Sequence, residues 1–167
     1  IEASLLVYLS KDYLMLDIQI DQANLNDCDI ITEFNIRLAE ETESKSLDRE
    51  LVRSGVIESL GKERGCQYYV ARYQKNVIGQ LMFTREWSDW RNGEFWWFQS
   101  VYVHPDYRRQ GVFQRLSEHL QTLAQSNPDV VGLRLYVEEE NERAQSTYRQ
   151  LGFQFPGYHV MEKMLER

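Results

Sequence analysis

The sequence predicts one α/β domain with a mixed central sheet, and three observations support that prediction. The chain of 167 residues suits a single hydrophobic core, and its apolar fraction of 43% is that of a globular protein. Residues 94–103 are aromatic and β-branched, which favours a strand, and an amphipathic helix follows Gly111. Residues 130–137 then favour another strand. Because strands joined through a crossover helix are parallel, the order β-α-α-β-β-β-α-β-α-β describes an α/β fold.

The first three elements are a strand and two helices. Residues 14–20 alternate in polarity as a half-buried strand does. An Asn- and Asp-rich stretch then supplies a helix N-cap, and the acidic segment 40–45 separates this helix from the next, which ends at Gly61. The apolar faces of the two helices are Ile30, Ile31, Phe34 and Leu38, and Leu47, Val52, Val56 and Leu60.

The middle of the chain predicts three consecutive strands, over residues 66–73, 77–87 and 94–103. Lys75 and Asn76 predict a tight turn between the first two, and residues 89–93 predict the next turn. Because the connections are this short, the three strands are expected to be antiparallel neighbours.

The C-terminal third predicts a helix, a strand, a second helix and a last strand. The first helix begins near Gly111, and the strand over residues 130–137 follows it. Asn141 caps a short helix that ends at Gly152, and residues 158–165 predict the last strand. The inward positions of the two helices are Phe113, Leu116, Leu120 and Leu123, and Ala144, Tyr148 and Leu151.

The turn before the third helix has the features of an anion site. A helix N-terminus offers unpaired N–H groups and a partial positive charge, and both suit phosphate. Gly111 removes a side chain where the backbone would approach an anion closely. The planar guanidinium groups of Arg108 and Arg109 pair with phosphate or carboxylate. The same pattern also fits an ordinary strand–turn–helix connection.

Two motifs together resemble the GNAT acyltransferases, the N-acetyltransferase superfamily. The loop Arg108-Arg109-Gln110-Gly111-Val112-Phe113 is similar to the family's pyrophosphate loop, Arg/Gln-x-x-Gly-x-Gly/Ala, although Phe113 stands where the family usually has Gly or Ala. Residues 141–153 are similar to its later acetyl-CoA segment. The resemblance implies a single GNAT domain over residues 14–167 with splayed parallel fourth and fifth strands. Residues 1–13 are then an N-terminal extension that need not be native.

The resemblance implies an acetyl-CoA-dependent N-acetyltransferase that transfers the acetyl group directly to a primary amine, that of a small molecule or, as a second choice, of a protein. Tyr148 is implied as the proton donor to the leaving thiolate, although the residue also suits a core contact. Asn141 is implied to bind pantetheine, although Asn also favours N-caps. The remaining implied cofactor contacts are the pantetheine-binding backbone of Val101, Tyr102 and Val103, the amides of Arg109, Gln110, Gly111, Val112 and Phe113, and the charges of Arg108 and Arg109.

The general base and the acceptor pocket have no motif. Many family members have a carboxylate near the position of Gln99 and Ser100, neither of which accepts a proton usefully. A water chain, Glu94 and an acid of the first helical region stay open as routes. The pocket is expected from the early helices, their loop and the middle strands. Two groups suit either an acceptor site or ordinary structure: the acidic Glu40, Glu41 and Glu43, and Trp87, Trp90, Trp96 and Trp97 with Arg91.

Composition limits the partners. The net charge of -7 argues against nucleic acid and anionic membranes. Cys28 and Cys66 have no metal-ligand spacing, nor do the three histidines, so no metal is expected. The longest early apolar run, residues 5–9, is too short to span a bilayer, and we expect a cytoplasmic protein.

Two further hypotheses concern assembly and catalysis. The aromatic hairpin suits a homodimer surface. An acyl-CoA-binding sensor or partner-binding module that has the GNAT fold and no catalysis is the alternative function. Phe113 and the missing strand carboxylate favour that alternative.

Overall fold

Five strands form one mixed sheet in the order β1-β2-β3-β4-β5 in the computed structural model, which describes residues 16–61 and 64–165. The strands are β1 (Gln19–Gln22), β2 (Cys66–Tyr73), β3 (Asn76–Ser88), β4 (Gly93–Val103) and β5 (Val130–Leu135). The helices are α1 (Cys28–Glu43), α2 (Arg49–Leu60), α3 (Val112–Ser126) and α4 (Glu142–Gln150). Strands β1 to β4 are antiparallel neighbours, and β4 and β5 are parallel. The predicted α/β fold with its mixed sheet is confirmed.

Helices cover both faces of the sheet, and alternate residues of β2 show the two layers. Tyr68 packs in a buried cluster with Ile31 of α1 and Val56 of α2. Its neighbour Tyr69 faces the other way and lies against His119 of α3, with 5.3 Å between ring centroids. Because successive strand side chains alternate between faces, the sheet contributes to two hydrophobic layers.

Helix α1 runs further than the sequence predicts. The acidic residues Glu40, Glu41 and Glu43 belong to its last turns, so their prediction as a loop is wrong. The helix is capped at Ser44, whose left-handed φ of 52° turns the chain so that the N–H of Lys45 donates to the carbonyl of Ala39 at 3.1 Å. Leu47 precedes α2 and is largely exposed, so it does not belong to the inward face of that helix.

Two of the predicted strand boundaries also shift. The tight turn between β2 and β3 is centred on Gln74 and Lys75, which both have positive φ (48° and 69°), one residue earlier than predicted. Strand β1 begins at Gln19, and residues 14 and 15 of the predicted strand lie outside the described residues. The predicted extension at residues 1–13 lies outside them as well.

The predicted last strand over residues 158–165 is wrong in the described part of the chain, where these residues have no strand pairing. Their large apolar side chains are exposed, Met161 at 95%. Strand propensity measures how well side chains fit a pleated surface, and it does not supply the neighbouring ladder that a strand requires.

The chain divides after Leu135 into two compact units. The first contains the whole sheet with α1 to α3, and the second contains α4 and the residues that follow it. Cys28 and Cys66 are both buried and unbonded to each other. Within residues 16–61 and 64–165, none of the helices is both long and apolar enough to cross a membrane.

Candidate active site

Strand β4 loses one of its neighbours half-way along its length. Its parallel register with β5 runs from Glu94 opposite Val130 to Phe98 opposite Leu135 and ends there. Residues 99–103 continue to pair with β3, and among the described residues they have no other strand neighbour. The two parallel strands are therefore splayed, as the family resemblance implies, and the splay leaves an open edge on β4 over residues 99–103.

A bulge lies in the first part of this open edge. Gln99 pairs with Met82 and Tyr102 pairs with Gln80, so Ser100 and Val101 share the position opposite Leu81. Ser100 has a φ of 49°, in the left-handed region. A bulge of this kind bends the strand and changes the direction of a side chain, here that of Ser100.

The backbone of Val103 faces the open edge. His104 donates its N–H to the Ile78 carbonyl of β3 at 2.9 Å. Because strand residues alternate the side to which their amide groups point, the N–H and C=O of Val103 point away from β3. The carbonyl accepts a hydrogen bond from Nε of Arg108 at 2.8 Å, so the N–H remains as the donor that Val103 offers at this edge.

Arg108 connects the end of β4 to helix α1. Its guanidinium donates to Glu41 at 2.6 Å and lies 5.4 Å from the centre of the Tyr102 ring. Tyr102 is buried and donates its hydroxyl to the same carboxylate at 2.8 Å. Burial raises the pKa of Glu41, but the hydrogen bonds from Tyr102 and Arg108 outweigh it and hold the pKa below its ordinary value. We refer to Glu41, Tyr102 and Arg108 as the clamp.

The loop before α3 has a left-handed backbone at two of its residues. Arg109 and Gly111 both have positive φ, 63° and 79°. A Cβ on Gly111 would meet nothing within 4 Å, so the glycine is needed for its left-handed backbone and not for space among the protein atoms. Gln110 contributes its side chain to the loop itself, donating to the Asp106 carbonyl at 2.8 Å.

Helix α3 begins at Val112 and has no side-chain cap. Its first backbone bond is donated by Arg115 to the Gly111 carbonyl, at 3.0 Å. The N–H groups that precede Arg115, in the first turn of α3, therefore have no acceptor within the helix. The helix dipole adds partial positive charge at this end. Phe113 lies in this turn with its side chain partly buried. Unpaired N–H groups and partial positive charge at a helix N-terminus suit an anion.

Helix α4 carries the two predicted residues of the second unit. The side-chain oxygen of Asn141 accepts the Ala144 N–H at 3.0 Å, so the residue is the helix N-cap. The ring of Tyr148 lies edge-on to Phe153, with 6.2 Å between centroids. Burial raises the pKa of Tyr148, so its phenol stays protonated at neutral pH.

A groove of about 320 Å³ lies beside the bulge, between α1, α2 and β4. Its lining includes Asn35, Leu38 and Glu43 of α1, Val52 of α2 and Ser100 of β4. The groove lies among the elements from which the sequence predicts an acceptor pocket, but sequence reasoning did not single out Asn35 or the buried polar residue Gln80 behind it. A glutamine in the middle of the apolar run of β3 was the available signal.

Other predicted candidates lie away from this groove. Glu94 is six strand positions from Ser100, about 20 Å along β4, and its carboxylate contacts Trp96 and Arg85. The tryptophans do not form one wall: Trp96 is buried and stacks on Phe83 at 4.1 Å, whereas Trp90 is 86% exposed. Across the described ranges there is no group of three or more His, Cys, Asp or Glu side chains placed to hold a metal ion.

Comparison with known proteins agrees with this geometry. The model of the Acetyltransferase (GNAT) family matches residues 30–153. The chain belongs to the GNAT acetyltransferase family. A solved structure of a possible acetyltransferase from Clostridium difficile 630 is 42% identical, with a TM-score of 0.84 over 90% of this chain and 99% of that one.

More distant GNAT structures share the fold alone. A ribosomal-protein-alanine N-acetyltransferase from Brucella melitensis biovar Abortus 2308 is 17% identical, with a TM-score of 0.72 over 88% of this chain and 99% of that one. A predicted acetyltransferase with acetyl-CoA from Clostridium acetobutylicum is 14% identical, with a TM-score of 0.73 over 87% and 96%. None of the curated proteins compared matches this sequence.

Proposed function

We propose that this GNAT protein transfers the acetyl group of acetyl-CoA directly to a primary amine, that of a small molecule. The observation that carries the proposal is the succession of two features in one short stretch: the open edge of β4 over residues 99–103 and the uncapped N-terminus of α3 at Val112. Each feature suits a different part of one ligand.

The residues present fit acetyl-CoA. An extended chain of amides binds to an open strand edge by backbone hydrogen bonds, which Val101, Tyr102 and Val103 would supply to pantetheine. A pyrophosphate requires clustered N–H donors, which residues 109–113 would supply at the helix end. The bound cosubstrate supplies an acyl thioester. The guanidinium of Arg108 pairs with Glu41, so we assign Arg108 chiefly to holding the loop in place. We assign the phosphate contacts to Arg109 and to the backbone amides.

The reaction requires two proton transfers, one from the amine and one to the leaving sulfur. As the N–C bond forms and the C–S bond breaks, the amine loses one proton and the sulfur gains one. We assign the second task to Tyr148. Proton donation from a phenol of pKa about 10 to a thiolate of pKa about 8.5 is uphill by roughly 2 kcal/mol. Burial raises the pKa of Tyr148 further, which increases that cost but keeps the donor protonated.

The amine must reach the reaction neutral, which costs about 4.6 kcal/mol at pH 7 for an alkyl amine of pKa about 10.4. Glu94 lies too far along β4, and Glu41 is committed to the clamp with a lowered pKa. Glu43 lines the groove, where it pairs with Lys45. We therefore propose that the proton leaves through water in the groove or to Glu43.

A sensor that binds acyl-CoA without catalysis is the second candidate, because the bulge of β4 carries Ser100 where a carboxylate would assist deprotonation. Two measurements distinguish the candidates: a thermal shift with acetyl-CoA, and thiol release with a panel of amines. We expect both to be positive. Binding without release would favour the sensor, and absence of binding would reject both functions.

The Tyr148→Phe variant tests the proton donor. The phenol contributes general-acid catalysis, so kcat should fall about 100-fold while affinity for acetyl-CoA stays within about twofold. Tyr69→Phe, which removes a buried phenol on β2 against α3, is the matched control and should retain kcat. Unchanged turnover in Tyr148→Phe would reject the assignment.

A further inference from the structure

A buried chain of polar side chains runs behind the acceptor groove. The side-chain amide of Gln80, which is fully buried on β3, donates to Asn35 at 2.7 Å and to the Ser100 carbonyl at 3.1 Å. Asn35 donates to the Tyr68 hydroxyl at 3.0 Å, and the Ser100 hydroxyl interacts with the same oxygen, since burial raises the pKa of Tyr68 and the side chains of Ser100 and Asn35 oppose that rise. The chain therefore begins and ends at Ser100, the bulge residue that lines the groove.

The direction of three hydrogen bonds in this chain is fixed by its first member, the Ser100 carbonyl. A backbone carbonyl only accepts, so the nitrogen of Gln80 must face Ser100. The same nitrogen faces the oxygen of Asn35, which leaves the Asn35 nitrogen to donate to Tyr68. Tyr68 accepts there, and it also accepts from the Ser100 hydroxyl, because the hydrogen bond from Ser100 opposes the raising effect of burial on the pKa of Tyr68, as a donor to the phenolate does. The Ser100 hydroxyl that donates to Tyr68 keeps the lone pairs of its oxygen, and these can accept an N–H.

The arrangement leaves one polar atom unsatisfied. Gln80 Oε1 is buried without a hydrogen-bond donor in the part of the chain that the structure describes. A buried acceptor without a donor destabilises a protein by about 1–3 kcal/mol, so stability does not explain why Gln80 is present here. A role in orienting Ser100 does explain it, because the amide of Gln80 holds the Ser100 carbonyl and Asn35 in place.

The walls of the groove are apolar. Leu38 and Ala39 of α1, Leu47 before α2, and Val52 of α2 surround the polar end at Asn35 and Ser100. Leu47 is 39% exposed, so this apolar surface is open to a ligand. The volume of about 320 Å³ is at the low end for ligand pockets, which run from about 300 to 1,000 Å³. Glu43 is the only acidic residue among the described residues of the lining, and its carboxylate forms an ion pair with Lys45.

We propose that the acceptor is a primary amine on a compact apolar body, and that the Ser100 hydroxyl, oriented by Gln80, Asn35 and Tyr68, accepts an N–H of that amine. The inference rests on the proposed acetyl transfer and adds its substrate class. An N–H held at Ser100 leaves the nitrogen lone pair free to attack, and the apolar walls receive the body of the amine. Ser100 contacts substrate, whereas Tyr68 acts as a positioning residue.

A panel of acceptors tests the substrate class by thiol release with the intact chain and acetyl-CoA. The panel contains phenethylamine, spermidine, kanamycin, lysine and a peptide with an N-terminal alanine. We expect kcat/KM for phenethylamine to exceed the values for the four polar acceptors by at least about tenfold, because each methylene in an apolar pocket contributes to discrimination. A preference for any of the four would overturn the apolar assignment.

Variants test the hydroxyl. Ser100→Ala should raise KM for phenethylamine about threefold to tenfold, the effect of one lost hydrogen bond, with KM for acetyl-CoA unchanged. Tyr68→Phe should raise the amine KM similarly. The double variant should be no worse than the Ser100→Ala variant, because Tyr68 acts through Ser100. Tyr69→Phe, on the opposite face of β2, is the control and should leave KM unchanged.

The outcomes separate the two levels of the proposal. Thiol release with an unchanged amine KM in Ser100→Ala rejects the Ser100 contact and leaves acetyl transfer standing. Equal losses of amine and acetyl-CoA affinity in Tyr68→Phe indicate a general structural role and also reject the positioning chain. No release with any amine rejects acetyl transfer itself, and the acceptor assignment with it.

Discussion

The two halves of strand β4 have the same backbone type and opposite environments. From Glu94 to Phe98 the strand lies between β3 and β5, and Trp96 stacks on Phe83 inside the sheet layer. From Gln99 to Val103 its only neighbour in the described part of the chain is β3, and this half has a bulge at Ser100 and the clamp at its end. The paired half satisfies its backbone within the protein. The open half has backbone groups that face the open edge, such as the N–H of Val103. We propose that acetyl-CoA and the amine acceptor bind there.

The comparison teaches that the tryptophans of this strand and its proposed functional residues lie in different halves. The paired half carries the conspicuous tryptophans, yet it is the half held by packing and by ion pairs such as that of Arg134 with Glu86 at 2.8 Å. The open half carries Gln99, Ser100 and two valines, which attract little notice in a sequence. What distinguishes it is the absence of a second strand neighbour in the described pairings, a property of the topology.

The largest expected effect belongs to the paired half. Trp96→Ala removes a buried ring from the stack with Phe83, so the free energy of unfolding should fall by about 3–5 kcal/mol, measured by urea denaturation. Trp90→Ala, at an 86% exposed position of the adjacent hairpin, should change it by less than about 0.5 kcal/mol. Equal losses in the two variants would contradict a packed role specific to Trp96.

The next effect belongs to the loop that follows the open half. Gly111→Ala places a Cβ on a residue with φ of 79°, which costs about 1–2 kcal/mol. We expect acetyl-CoA affinity to fall roughly fivefold to thirtyfold by calorimetry, because the N-terminal amides of α3 change direction. Gly55→Ala in α2, where a Cβ meets nothing within 4 Å, is the control and should raise stability by up to about 1 kcal/mol. An unchanged affinity in Gly111→Ala would remove this loop from the donor site.

The clamp gives a smaller effect with a defined pH dependence. The pKa of Glu41 is lowered on folding, because the bonds from Tyr102 and Arg108 exceed the opposing effect of burial. Its contribution to stability is therefore present above the ordinary carboxyl pKa and is lost as pH falls through the lowered value. Glu41→Gln should reduce stability at pH 7 by less than about 1 kcal/mol, since the pair is partly exposed.

The difference between Glu41→Gln and the unaltered protein should shrink in acid, as melting temperatures between pH 7 and pH 3 would measure. Glu40→Gln, at the exposed neighbouring position of α1, is the matched control for the loss of one carboxylate charge. A constant difference across that range would show that the lowered pKa of Glu41 does not contribute to folding.

The smallest expected effect is at Glu94. The residue lies in the paired half, about 20 Å along the strand from Ser100. Glu94→Gln should therefore leave kcat/KM for an amine within about twofold, whereas Ser100→Ala raises the amine KM. Loss of activity in Glu94→Gln would break the comparison, because it would place a general base in the half that we describe as structural.

Local signals predicted much of the proposed donor site and little of the proposed acceptor site. Gly111 before an amphipathic helix and Asn141 before a short one are readable because backbone conformation and capping are encoded within a few residues. The acceptor groove draws on Asn35, Val52 and Ser100, which are far apart in sequence and belong to three elements. The clamp joins residues 67 positions apart, Glu41 and Arg108, and no local pattern pairs them.

The sequence by itself determined the α/β fold class, the β4–α3–β5 crossover, the turn at Gly111 and the cap at Asn141, since each depends on periodicity or on the conformational preference of one residue. Tertiary structure alone decided that β4 has no second strand neighbour beyond Phe98 among the described residues, that Arg108 is held by Glu41, and that Gln80 donates to Asn35 and to the Ser100 carbonyl. It also decided that residues 158–165 lack the pairing their composition favours. Strand pairing and buried hydrogen bonds depend on which distant residues meet, and only the folded chain specifies that.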